Sequence, residues 1–186
     1  DLLEAAELTE KKLDRDKALS LIDSALTAKP GDADATRMRA ALLRRMNRLD
    51  EARKTLVSLV EHDPSEAFET WLEIADLDES FRKAPLDAVE AYRAAHKARP
   101  EHPLPGLALM RLLRATKNFK RLVSELKTLA KNETDPRALA QLTTTAAEVE
   151  ELCLSDDDAA LKSLEAADEA LLSVGWDPNA FEWMER

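Results

Sequence analysis

The chain has 186 residues, of which 45% are hydrophobic, 4% aromatic and 3 glycine, with 37 acidic against 27 basic residues and a formal net charge of −10. Strand-favouring residues are scarce, which sets aside β-rich folds, and an acidic chain is repelled by phosphate backbones, which sets aside nucleic-acid binding. The longest apolar runs, such as Leu56-Val57 beside Leu59-Val60, are too short for a membrane span, and one cysteine, Cys153, allows no internal disulfide.

Taken in order, the apolar periodicity predicts helices in pairs. Residues 1–14 and 16–29 form the first pair, carrying Ala6 and then Ala18-Ile22-Ala25, closed by Pro30. Residues 33–46 and 49–63 follow, with Asp32 as an expected N-cap, Ala40, then Ala52-Leu56-Leu59 and Pro64. The third pair, 66–80 and 85–99, has Ser65 as its expected cap, Ala75, then Ala88-Tyr92-Ala95 and Pro100. The fourth, 103–116 and 119–131, carries Leu122-Leu126-Leu129. The fifth, 136–153 and 157–172, is expected to start on Asp135, to use Ser155 and Asp158 as a capping arrangement, and to carry Ala160-Leu164-Ala167. Links as short as Met46-Asn47-Arg48 permit only antiparallel helical hairpins.

The motif-opening residues Ala18, Ala52, Ala88, Leu122 and Ala160 are separated by 34, 36, 34 and 38 residues. A self-similar period in this range denotes a repeat array, in which each hairpin completes its core by stacking on its neighbours. Ala6, Ala40 and Ala75 precede the following motif by twelve, twelve and thirteen residues, so small side chains recur where paired helices approach. The third unit carries extra residues between its helices, Phe81-Arg82-Lys83-Ala84, the fifth has a long first helix, and Gly106 replaces a large aromatic in the fourth.

Trp71, Ile74 and Ala75, followed by A-x-x-x-[FYL]-x-x-[AL] and a proline at a 34-residue period, resemble the tetratricopeptide repeat. The fullest copy is 33–64, with Arg-Leu-Asp-Glu-Ala-Arg-Lys-Thr-Leu at 48–56 and Asp63-Pro64 at its end. The resemblance implies an all-α, right-handed superhelical solenoid of about five antiparallel hairpins. Its expected organisation is one array over 1–177, with units at 1–32, 33–66, 67–102, 103–135 and 136–174. Residues 178–186, where Ala180-Phe181-Glu182 repeats Ala67-Phe68-Glu69, are expected to open a further, truncated repeat. The chain is therefore expected to be a piece of a longer protein.

The same resemblance implies a concave wall lined by first helices. The residues placed on it are Arg37, Ala41 and Arg44, then Leu72, Asp76 and Glu79, then Leu107, Arg111 and Arg114. The lysines and asparagines with which some members grip a terminal carboxylate are missing from these positions. The arginine group Arg37, Arg39, Arg44, Arg45 and Arg48 could receive an acidic peptide through bidentate pairing. The preferred reading is structural, with Arg44 and Arg45 meeting Asp76 and Glu79 one repeat on.

Asp156-Asp157-Asp158 lacks the alternating ligands and glycine of a calcium loop and fits a helix start. His62, His96 and His102 fall at repeat junctions, and Cys153 between Leu152 and Leu154 is expected in the core. No phosphate loop or nucleophile motif is present, so the expectation is no catalysis, no cofactor and no metal. The leading function is a protein-interaction scaffold that binds a partner peptide or protein segment in its groove. The alternative is the regulatory or substrate-docking arm of a larger enzyme; a third reading is a module assembling with itself. The expected partner is a protein or peptide, not nucleic acid or a membrane, with weak self-association through the C-terminal end. The cytoplasm is the expected compartment, with the periplasm left open.

Overall fold

The structure, a computed structural model, describes residues 2–11 and 14–173. Among the described residues there are ten α-helices and no strand. They are α1 (Leu2–Lys11), α2 (Arg15–Ala28), α3 (Ala33–Arg45), α4 (Leu49–His62), α5 (Ala67–Asp76), α6 (Pro85–Ala98), α7 (Pro103–Ala115), α8 (Phe119–Asn132), α9 (Pro136–Val149) and α10 (Asp157–Ser173). Two compact units divide the chain, Asp1–Leu109 and Met110–Arg186, with the division inside α7.

In the first unit each helix from α1 to α6 packs on the next. Ala18, Ala52 and Ala88 are all but fully buried, and so are Ala6, Ala40 and Ala75 on the partner helices. Alanine at both sides of a crossing brings the backbones close, and Ile22, Leu42, Leu43, Leu56, Ile74 and Leu77 fill the space between crossings. Asp14 and Asp32 cap α2 and α3 by accepting hydrogen bonds from the backbone N–H groups of Lys17 and Ala35. Lys29, 2.7 Å away, and the Ala35 amide hold the Asp32 carboxyl below its ordinary range. In the second unit α8 packs on α9 and α9 on α10. Leu122, Leu126, Ala140, Ala147, Val149, Ala160 and Ala167 are buried there.

Two expected caps fall elsewhere. Ser65 lies inside a short 3-10 turn, Pro64–Glu66, that precedes α5, and Asp63 accepts from its N–H and hydroxyl. Before α10 the cap is Asp156, which accepts from the Ala159 N–H, while Ser155 takes the left-handed conformation at φ 54°. Proline suits the first position of the 3-10 turn, where its missing N–H would have no partner.

The turns between first and second helices come in two lengths. After α3, the Arg48 N–H donates to the Leu43 carbonyl across left-handed Asn47; after α7, Asn118 donates to Leu113 across left-handed Lys117. After α5 and α9 the helix widens into a π-helical turn, Leu77–Phe81 and Glu150–Leu154. There Ala84 donates to the Asp78 carbonyl across Lys83, and Asp156 to the Glu150 carbonyl across Ser155. One residue has been added to each longer turn, which is the thirteenth residue counted between Ala75 and Ala88. The second of these turns also corrects the reading of Cys153. Val149 is the last buried apolar residue of α9, and the wider π turn leaves Leu152 and Cys153 exposed.

Candidate functional site

Four of the expected wall residues meet in one cleft of the first unit. Arg37, Ala41 and Arg44 from α3 face Asp76 from α5 across a cavity of about 220 Å³. Its apolar floor is Ala40, Ala52, Leu56 and Leu77, and Glu73 completes the rim. The cleft exists because α3 and α5 are both first helices, held apart by α4, whose Ala52 and Leu56 are too short to fill the gap between them.

The charges on the rim are mostly committed. Arg37 donates to Glu66 at 2.7 Å and to Glu73 at 2.9 Å, and these carboxylates, Glu66 first, raise its pKa further. Arg44 is more open. Its guanidinium lies 4.0 Å from Asp76 and 4.8 Å from the centroid of the Phe81 ring, itself 45% exposed. An exposed cation–π pair of this kind contributes about 0.5–1 kcal/mol. Asp76 accepts from the Ser80 hydroxyl at 2.8 Å.

The other expected wall residues do not line this cleft. Leu72 is half-buried, and Glu79 accepts from the Tyr92 hydroxyl at 3.2 Å within its own hairpin. Leu107, Arg111 and Arg114 lie exposed on α7. The expected ion pairs are half met: Arg44 approaches Asp76, but Arg45 turns back to Glu10 of the first hairpin. Arg39 reaches Asp23 at 2.7 Å and Thr55 at 2.5 Å, and Arg48 reaches Glu51 three residues on. A long guanidinium side chain can reach the hairpin on either side, and sequence spacing does not choose between them.

Two buried acids, at the longer turns, were not singled out from the sequence. Asp78 is fully buried and takes bonds from Arg53 Nε at 2.9 Å and Arg82 Nη1 at 2.5 Å. Arg82 also bonds Asp87 at 2.7 Å and Asp50 at 3.0 Å; these acids, Asp87 first, raise its pKa well above the usual arginine value. Glu150, 3% exposed, meets Lys127 at 2.6 Å and accepts from the Ser163 hydroxyl at 2.7 Å. A readable signal existed. The pairs Leu42-Leu43, Leu77-Asp78, Leu112-Leu113 and Val149-Glu150 recur at the ends of the first helices, with an acid in every second copy.

Residues 12–70, from the segment before α2 into α5, match the tetratricopeptide repeat family model. No curated protein sequence matches the chain. Solved structures match along nearly all of it. A crystal structure of MamA protein is 13% identical with a TM-score of 0.52, covering 91% of this chain and 90% of that one. MamA from Desulfovibrio magneticus is 10% identical with a TM-score of 0.50, covering 92% and 94%. A chain from the structure of Naa15/Naa10 bound to HypK-THB is 18% identical with a TM-score of 0.52, covering 94% of this chain and 24% of that one. At such identities these likenesses concern the fold. With the family match over residues 12–70, they show an all-α fold of helical hairpins like those of tetratricopeptide-repeat proteins, as the repeat period and the motif residues imply. Among the described residues no helix is long and apolar enough to cross a membrane.

Proposed function

We propose that this chain is a protein-interaction scaffold, without catalytic chemistry of its own, whose first-helix cleft at α3 and α5 receives a partner segment. The observation that carries the reading is the cleft itself: an alanine- and leucine-lined floor beneath a rim where Arg44 lies over exposed Phe81. Such a cavity accepts one apolar side chain, while the rim offers Arg44 to a carboxylate and Asp76 or Glu73 to a cation or an amide. Arg37 serves the cleft by shaping it, since its donors are taken by Glu66 and Glu73. Of the remaining wall residues, Leu72 and Glu79 lie on the same hairpin as Asp76, and Leu107, Arg111 and Arg114 are exposed candidates for contacts of their own. The family match supports this use, as does the fold shared with the Naa15/Naa10 chain in its HypK-THB-bound structure.

Affinity capture followed by mass spectrometry tests the proposal when three chains are compared. Ala41→Trp should fill the cleft and Arg44→Glu should reverse its accessible cation, each removing the same partner that the unaltered chain retains. Circular dichroism should show unchanged helicity for both. A partner list that is the same for all three chains would refute the cleft as the docking site.

A further inference from the structure

The second unit carries a groove of another kind, built by second helices. Lys127, Ala130 and Lys131 of α8 face Lys162, Ser163 and Ala166 of α10 across about 290 Å³, with Leu139 and Thr143 of α9 as its floor. The polar floor groups are spent internally. Thr143 donates to the carbonyls of Leu139 and Ala140, and Ser163 donates to Glu150. What remains is an apolar trough with three lysines on its rim and no carboxylate in its lining. Lys127 is engaged with Glu150, whereas among the described residues Lys131 and Lys162 are exposed and make no ion pair. This positive rim stands on a chain whose net charge is −10.

A groove also forms at the matching place in the first unit, where Leu26, Thr36, Lys54, Thr55 and Ser58 stand as Ala130, Thr143, Lys162, Ser163 and Ala166 do in the second. The architecture therefore produces such a trough between successive second helices. In the first unit its character differs: Glu51 lines it, and Arg39 is spent on Asp23 and Thr55. Of these two troughs, the one with no carboxylate in its lining is in the second unit.

We infer that the groove between α8 and α10 is a second docking site, which takes a partner segment bearing one bulky apolar side chain flanked by carboxylates. The apolar side chain displaces water from Ala130, Leu139 and Ala166, while the flanking carboxylates pair with Lys131 and Lys162. Opposed charges at a rim speed association and fix register, and the buried anchor supplies affinity.

The test is fluorescence anisotropy with a labelled peptide carrying one leucine between glutamates, added to the full chain. The peptide binds, and replacing its glutamates by glutamine or its leucine by serine weakens binding. Lys131→Glu with Lys162→Glu weakens it about tenfold or more, as does Ala166→Trp, which fills the trough. Lys97→Glu, an exposed residue of α6 outside both clefts, leaves it unchanged. All altered residues are exposed, and circular dichroism confirms that the helices persist. The inference is overturned by equal binding of the glutamine peptide, by groove variants that bind like the unaltered chain, or by loss of binding in Lys97→Glu. It is equally overturned if the full chain does not bind, including the case in which a chain shortened by residues 174–186 does, since the groove would then belong to the chain's own end.

Discussion

The turns after α5 and α9 solve one problem in two ways. Both add a residue through a π turn, both place a left-handed residue before the next helix, and both bury an acid where the shorter turns bury Leu43 and Leu113. Around Asp78 two guanidinium groups supply the counter-charge, one from the preceding hairpin and one from the turn itself. Around Glu150 a single ammonium from α8 and the hydroxyl of Ser163 share the task. A buried carboxylate is costly unless its lone pairs and charge are both answered, so the inserted residue and the partners have to come together. The backbone tolerates several answers, provided that one partner arrives from the hairpin before.

The comparison predicts unequal damage when the partners are removed. Arg53→Ala with Arg82→Ala leaves Asp78 buried without a counter-ion and should cost about 3–5 kcal/mol by urea denaturation. Adding Asp78→Leu, the residue type of the shorter turns, should recover most of that loss. An unchanged midpoint in the double variant would show that Asp78 reaches water. Lys127→Met should cost less, about 2 kcal/mol, because Lys127 is 44% exposed and its contribution is screened, and because Ser163 still serves Glu150. Ser163→Ala should cost about 1 kcal/mol, and a loss larger than that of Lys127→Met would reverse the assignment of the main partner.

Smaller effects sharpen the likeness of the two turns. Lys83 and Ser155 have φ of 55° and 54°, a conformation costly for residues with a Cβ, so glycine at either place should stabilise by up to about 1 kcal/mol. Similar gains in melting temperature at both would confirm equivalent turns, and a gain at one alone would separate them. The smallest contrast is with the half-buried caps Asp32 and Asp63. Lys29, then the Ala35 amide, lowers the first below its ordinary 3.8, and the Ser65 hydroxyl and amide lower the second. Their folded pKa values are depressed, so their stabilisation is present above about pH 4 and fades as pH falls through the lower folded values. Asp32→Asn and Asp63→Asn should each flatten the acid limb of a melting-temperature profile slightly, leaving neutral pH nearly unaffected.

Helix positions were legible because apolar spacing and capping chemistry are local. The second helices end within a residue of expectation, and the alanines that open motifs, Ala18, Ala52, Ala88 and Ala160, are buried. Even the extra residue between Ala75 and Ala88 could be counted in advance. The partners could not, since they depend on which neighbouring hairpin a long side chain reaches, as Arg45 shows by pairing with Glu10. Asp78 and Glu150 escaped because acids are usually exposed, and a π turn changes which residues face inward beyond the last regular turn. The same turn exposes Cys153 despite its leucine neighbours. Of the wall residues, spacing gathered Arg37, Ala41, Arg44 and Asp76 around one cleft, while their charge partners emerged only from the packing.

The alternation of Leu43, Asp78, Leu113 and Glu150 bears on how such a chain can grow by gene duplication. A hairpin ending in a buried acid draws its counter-charge from the second helix of the hairpin before it, Arg53 for Asp78 and Lys127 for Glu150. Copied alone, it would follow the wrong neighbour and lose that partner. Copied together with its predecessor, it brings its own counter-ion. A two-hairpin copy therefore keeps the charge pairing that insertion of a single acid-bearing hairpin would weaken.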